Sequence, residues 1–245
     1  MMNVSRLSFE GLRCSYGFDG LKHECPFDDL HFDIQAGKVV TVRGGNGSGK
    51  SSLIKTILGV IPSSSGVVKT EFYDKGLNSE SYPVGEFRER CGLTFGYLPQ
   101  RIHDMFPPAN QVSTVLKWYS AKNAVTMDRK RLVAFEEEMG MARVISRVKH
   151  RHCGQVSPGE AQKLGLYAIL LKSPDVVLLD EPTASLDATD EAWEIACTMI
   201  KAMRGTNERG LKFVLISTHD KRVMEKICEQ EVSLAGSSIS RKKGK

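Results

Sequence analysis

The chain has 245 residues, 41% of them apolar and 26% charged, and carries a net charge of +5 at pH 7. This composition excludes intrinsic disorder, a collagen-like repeat and a long coiled coil, and fits one large globular domain or two small ones. Four of the positive charges fall in the last five residues, RKKGK, and without them a single net positive charge is left. The basic balance therefore belongs to a tail at 237–245, expected to be solvated and frayed, with a contact to lipid headgroups or nucleic acid as the alternative.

No apolar run approaches the roughly 18 residues needed to cross a bilayer. The N-terminal MMNVSRLSFEGL lacks the apolar stretch of a signal peptide. The cysteines (Cys14, Cys25, Cys91, Cys153, Cys197 and Cys228) are dispersed, with no C-x-x-C pair, and are expected to be reduced thiols of a cytosolic protein. His150, His152 and Cys153, in the run KHRHC, match no zinc spacing and are expected in a solvated loop.

Along the chain, β-like runs alternate with helical ones, the pattern of an α/β fold with a mainly parallel sheet. Residues 4–9 and 29–34 alternate apolar and polar side chains, as edge or antiparallel strands do. KVVTVR at 38–43 predicts a β-branched strand that ends at Gly44, and a helix is expected from near Gly49 through SSLIKTILG. Pro62 and the following SSSG predict the turn that closes this unit. Further strands are expected at 67–73 and 93–98. From about 104 to 156 the pattern turns helical beyond Pro107 and Pro108; Leu132, Phe135 and Met139 share a face, and Trp118 sits among charges. A long helix is expected after Pro158, with Leu164, Ala168 and Leu171 on one face. DVVLLD at 175–180 and KFVLI at 212–216 are continuous apolar runs, hence buried strands. Trp193, Ala196, Ile200 and Met203 give 189–204 the stripe of an amphipathic helix, and a last strand is expected at about 230–234.

Residues 44–51, GGNGSGKS, fit G-x-x-x-x-G-K-S/T between a strand and a helix. The glycines let the backbone turn tightly, so that successive N–H groups point inward at a polyphosphate, and the helix start adds free N–H groups and a positive dipole end. The residues assigned to this cradle are Gly44, Asn46, Gly47, Ser48, Gly49, Lys50, Ser51 and Ser52. Lys50 reaches the β- and γ-phosphates as a point charge, and Ser51 offers its hydroxyl to Mg²⁺. DVVLLDEP ends a strand in two carboxylates: Asp180 suits the Mg²⁺ shell, and Glu181 suits a general base or water-positioning group. Taken alone, that second motif reads equally as a pair of strand-capping acids.

With both motifs in place, the chain resembles the ATP-binding cassette (ABC) ATPases over essentially its whole length. Tyr16, 28 residues before Gly44, matches the family's aromatic that stacks on adenine. Gln100, in GYLPQ, matches the glutamine that contacts Mg²⁺ and the attacking water. VSPGEAQK at 156–163 is similar to the family's signature segment, where Ser157, Gly159 and Glu160 would serve ATP held by a second cassette. Ser185, Leu186 and Asp187 match the loop along the dimer interface, and His219, in ISTHD, matches the histidine that contacts the γ-phosphate. Pro158 departs from the signature, which usually has glycine there. It suits a first helical turn, with Ser157 and Glu160 able to form a capping box.

The resemblance implies a P-loop NTPase core at 1–103 and 157–236, mainly parallel with an antiparallel β edge, and an α-helical subdomain inserted at about 104–156. It implies ATP and Mg²⁺ as ligands, Glu181, His219 and Gln100 as catalytic groups, and a homodimer or heterodimer of cassettes. It further implies an ATPase on the cytoplasmic face of a membrane that powers transport through separate membrane subunits, with no nucleic-acid partner. The helical stretch would dock those subunits, with Met105, Phe106, Pro107 and Trp118 as apolar contacts, each of them reading equally as core of the inserted subdomain. The alternatives are a soluble single-cassette ATPase in a role such as cofactor assembly, and a non-hydrolysing nucleotide switch, which Pro158 suggests.

Overall fold

The computed structural model describes residues 4–14, 27–72, 79–121, 129–186, 190–207 and 210–234. The expectations for Tyr16, Asp187 and the basic tail fall outside them. In chain order the elements are β1 (Val4–Cys14), β2 (Leu30–Gln35), β3 (Val39–Arg43), α1 (Lys50–Ile57), β4 (Ser63–Phe72), β5 (Glu80–Pro83), α2 (Val84–Arg90) and β6 (Phe95–Leu98). There follow α3 (Val112–Ala121), α4 (Arg129–Glu138), α5 (Ala142–Val148), α6 (Pro158–Lys172), β7 (Val176–Asp180) and α7 (Asp190–Met203). The chain then forms a short hairpin of β8 (Thr206–Asn207) and β9 (Gly210–Leu211), then β10 (Phe213–Ser217), α8 (Lys221–Lys226) and β11 (Gln230–Ser233).

β2, β1, β4 and β5 form an antiparallel sheet in that order. β11, β3, β10, β7 and β6 form a parallel sheet, with β10 between β3 and β7. The continuous apolar runs of the parallel strands follow from burial on both faces. Val177 and Leu179 of β7 and Val214 and Ile216 of β10 join the core beneath α6 and α7. The alternate residues, Val176, Leu178, Phe213 and Leu215, join a second core with α1, α2 and the antiparallel sheet. In that second core Phe9 stacks on Phe32 with ring centroids 4.5 Å apart, and Phe87 meets Phe9 edge-on at 6.1 Å.

The stretch expected to be helical carries α3, α4 and α5; Val115 of α3, Met139 just beyond α4, and Val144 and Val148 of α5 pack in the same core as Leu164 and Ala168 of α6. Tyr167 of α6 also donates to Glu136 of α4 at 3.2 Å. Two expectations need correction, and one open choice is resolved. The SSSG run is strand: Ser63 pairs with Cys14 and Ser65 with Arg13, and the Ser65 hydroxyl donates to the Gly11 carbonyl at 3.0 Å. The turn lies before it, at 58–62. Cys153 is buried, while His150 and His152 are exposed beside it. Phe106 is buried against Tyr119 and Met105 packs on the same core, which leaves Pro107 and Trp118 exposed.

Gly165 sets how closely α6 approaches β6. A Cβ there would lie 2.5 Å from Ile102 Cδ1 and 2.6 Å from Leu98 Cδ1. Gly165→Val is therefore expected to destabilise the protein by about 1–3 kcal/mol through overpacking, read as a lowered urea midpoint.

Candidate functional site

Three strand ends meet at one edge of the parallel sheet. β3 ends at Arg43, and the chain crosses the glycine-rich loop into α1. Gly49 is the N-cap, in the left-handed region at φ 93°, and makes no side-chain cap. The first N–H groups of α1 thus lack a side-chain acceptor from the cap and are suited to an anion. Gly44 must be glycine for a different reason: a Cβ there would fall 2.1 Å from Ser48 Oγ. The Ser48 hydroxyl itself is buried with no hydrogen-bond partner among the described residues. Lys50 curls back over the loop and donates to the carbonyls of Gly44 at 2.9 Å and Gly45 at 3.0 Å. Asn46 and Gly47 are exposed at the loop tip, and Ser52 is half-buried on α1.

Asp180 ends β7 directly opposite Ser217, the last residue of β10. Its Oδ1 accepts hydrogen bonds from Ser51 Oγ at 3.0 Å and from Ser217 Oγ. Glu181 follows with φ 50°, a left-handed conformation that costs a non-glycine residue on the order of 1–3 kcal/mol. The surroundings hold it there. Its N–H donates to the Ser217 carbonyl at 2.9 Å, and its Oε2 accepts from Thr218 Oγ1 at 3.2 Å. Its Oε1 lies 2.8 Å from His219 Nδ1. An ionised carboxylate only accepts, which assigns the proton of that bond to Nδ1. Glu181 is buried, whereas the His219 ring is largely exposed, so the histidine faces outward from the pair.

The signature-like segment forms the predicted capping box. Ser157 Oγ accepts from Glu160 N at 3.2 Å, and Ser157 N donates to Glu160 Oε2 at 2.9 Å, with Pro158 in the first turn. Arg147 of α5 adds an ion pair to Glu160 Oε1 at 2.7 Å. A Cβ on Gly159 would stand 3.1 Å from the Ser185 carbonyl, so this segment lies against the loop that follows Glu181. Ser157 and Ser185 are exposed, and Leu186 turns into the core.

The fold thus unites Lys50, Ser51, Asp180, Glu181 and His219 at one sheet edge. It unites Ser157, Gly159, Glu160 and Ser185 in a second group. Gln100 is exposed two residues beyond β6, which pairs Leu98 with Leu179 of β7. Sequence reasoning missed Ser217, Thr218 and Arg147. The two hydroxyls had a signal, since they follow a buried strand directly before His219; Arg147 had none. The donor set fits a magnesium nucleotide: hard oxygens from Ser51 and Asp180 suit Mg²⁺, and the Ser48 hydroxyl and Lys50 ammonium suit phosphate.

The architecture and the loop define a P-loop NTPase core. A family model described as ABC transporter matches residues 27–184. The chain belongs to the ABC transporter family. It is 26% identical over 234 residues to the methionine import ATP-binding protein MetN 1 of Acinetobacter baylyi, covering 94% of this chain but only 60% of that protein. It is 30% identical over 207 residues to the zinc import ATP-binding protein ZnuC of Pseudomonas fluorescens, covering 84% of this chain and 67% of the relative. In fold it matches a dimeric ATP-binding cassette in a post-hydrolysis state bound to ADP and Pi, with a TM-score of 0.69, 20% identity and coverage of 96% and 97%. Among the described residues no helix is long and apolar enough to cross a membrane.

Burial alone would raise the Glu160 carboxyl, but the Ser157 N–H and hydroxyl and the Arg147 guanidinium outweigh it and hold the group below its ordinary value. A depressed folded value contributes stability above the unfolded value of about 4.3, lost as pH falls through the folded one. Glu160→Gln is therefore expected to lose stability at neutral pH and to show a flatter decline of its urea midpoint below about pH 4.3 than the parent.

Proposed function

We propose that this chain binds ATP with Mg²⁺ at the tips of β3, β7 and β10 and hydrolyses it, as the nucleotide-binding subunit of a transporter whose membrane-spanning subunits are separate chains. The observation that carries this reading is the 3.0 Å bond between Ser51 and Asp180, residues 129 positions apart that belong to the two nucleotide motifs. Among the described residues Lys50 pairs with loop carbonyls rather than with a carboxylate, and can exchange them for β- and γ-phosphate oxygens. Ser51, Asp180 and Gln100 would hold Mg²⁺, which when bound neutralises charge on the transferred phosphoryl group. Glu181 orients the attacking water and takes its proton, and His219 directs a donor at the γ-phosphate. Tyr16 stacks on adenine.

Ser157, Gly159 and Glu160 serve the nucleotide of a second cassette, so that two chains, identical or different, enclose two ATP molecules, with Ser185, Leu186 and Asp187 along their seam. Hydrolysis opens the pair because ATP and ADP differ in affinity for the closed state. The position of Pro158 supports hydrolysis rather than a silent switch. It caps no interaction of Ser157, whose hydroxyl proton stays available, and it leaves the Gly159 N–H in the first turn. The half-exposed Trp118 and the exposed Pro107 offer apolar surface for the membrane subunits on the cytoplasmic face. The relatives are named for importing methionine and zinc, so no single substrate is assigned to this cassette.

Glu181→Gln is expected to slow ATP hydrolysis about 10²–10⁴-fold and, with ATP and Mg²⁺, to elute as a dimer in size-exclusion chromatography. A parent chain that turns over no ATP at high concentration would contradict the ATPase reading. Lys50→Ala is expected to weaken nucleotide binding in a fluorescent-ATP titration; equal affinity would remove Lys50 from its role. Copurification with a multi-span protein from detergent extracts is expected, whereas full activity in a chain recovered alone favours the assembly role.

A further inference from the structure

Asp220 lies behind the Glu181–His219 pair and has more partners than its position requires. It is the N-cap of α8, a role satisfied by the bond from Arg222 N to its Oδ1 at 2.9 Å. Its Oδ2 also accepts from Thr183 Oγ1 at 3.2 Å, in the loop after β7, and from Trp193 Nε1 at 3.4 Å, on α7. Arg222 adds its guanidinium, with Nε 3.2 Å from Oδ1 and Nη2 3.1 Å from Oδ2. Trp193 is itself fixed beneath two cations, Arg222 at 5.2 Å and Lys226 at 4.9 Å from the ring centroid. On the other side, the Asp220 N–H donates to Thr218 Oγ1 at 3.1 Å, and that hydroxyl donates to Glu181 Oε2.

Burial would raise the Asp220 carboxyl, but hydrogen bonds and charge from Arg222, with the Trp193 N–H, outweigh it and hold the group below its ordinary value. The carboxylate therefore stays ionised, and an ionised carboxylate only accepts, so neither oxygen opposes the donors that surround it. It is the point at which the loop after β7, α7, the loop after β10 and α8 are tied together.

We propose that Asp220 is a positioning residue for ATP hydrolysis: it clamps the Thr218–His219 segment to Thr183 and Trp193, so that the Thr218 hydroxyl and the His219 ring meet Glu181 in a single geometry. It touches neither the nucleotide nor the reacting water. The kinetic part of this proposal rests on the ATPase reading above; the structural part does not.

Asp220→Ala and Asp220→Asn test it, with melting temperatures to confirm folding. Asp220→Ala is expected to lower kcat about 10- to 100-fold through misplacement of the pair, with KM for ATP within about twofold because the loop at 44–51 is untouched. Asn keeps one acceptor oxygen but turns an NH2 toward the donors on the other, so Asp220→Asn is expected to recover only part of the loss. Independently of turnover, ¹⁵N shifts of the His219 ring, read through its C–H protons and assigned by their loss in His219→Ala, report which nitrogen carries the proton. At pH 8 the parent is expected to hold the Nδ1–H form, Asp220→Ala to relax to the mixed population of an unrestrained ring, and Asp220→Asn to fall between them. Thr183→Val removes one donor, leaves the α8 cap intact, and is expected to shift the ring the same way by less; it decides the matter if Asp220→Ala does not fold. Parent-like kcat in a folded Asp220→Ala, or an unchanged His219 ring, overturns the proposal. A parent that hydrolyses no ATP but shows the ring shift overturns the ATPase reading and leaves the clamp standing.

Discussion

The parallel register of β7 and β10 is the constraint on which the site depends. Ser217 stands opposite Asp180, so the chain leaves both strands at the same level, and Glu181 meets Thr218 and His219 within a residue or two. On the other side of β10, Ser217 pairs with Val42 of β3, which delivers the glycine-rich loop to the same edge. The two apolar cores hold this register. A one-residue slip would send Val177 and Leu179 to the face that now takes Val176 and Leu178, and would move Ser217 away from Asp180. Packing deep in the sheet thus sets distances at its rim.

That rim carries opposed electrostatic demands. Asp180 and Glu181 are adjacent, buried carboxylates, and burying ionised groups without partners is costly. The structure separates their surroundings. Asp180 takes hydroxyls from Ser51 and Ser217, while Glu181 takes a hydroxyl from Thr218 and the ring of His219. The left-handed backbone at Glu181 turns its carboxylate toward the Thr218–His219 segment, and the strain is offset by the hydrogen bonds that this turn makes possible. Asp220 extends the same logic one layer back, where a single anion gathers donors from the loop after β7, from α7 and from α8.

The most legible parts of the molecule were those in which local chemistry and fold agree. The spacing GGNGSGKS announces its own turn, and Ser157 with Glu160 announces its own helix start, because each needs only neighbours a few residues away. Continuous apolar runs marked β7 and β10 for the same reason. Where local composition and pairing disagreed, pairing won: SSSG is rich in turn formers, yet β1 supplies partners for Ser63 and Ser65 and makes it strand. For Phe106 the sequence left docking surface and core open; Tyr119, on a helix that begins several residues later, covers it and makes it core. Arg147 carries no local mark of its bond to Glu160, since α5 and α6 meet only in three dimensions.

By itself, the sequence determined the type of chemistry: a loop able to hold phosphate, two carboxylates at a strand end, and a histidine after the next buried strand. These are short-range features, encoded in residue type and spacing. Tertiary structure alone decided their relations. It placed Ser51 on Asp180, gave Glu181 its partners, set the signature segment against Ser185 and collected Thr183, Trp193 and Arg222 around Asp220. The reason is physical: which hydroxyl or cation reaches a given carboxylate depends on strand register and helix packing, which the whole hydrophobic core sets together.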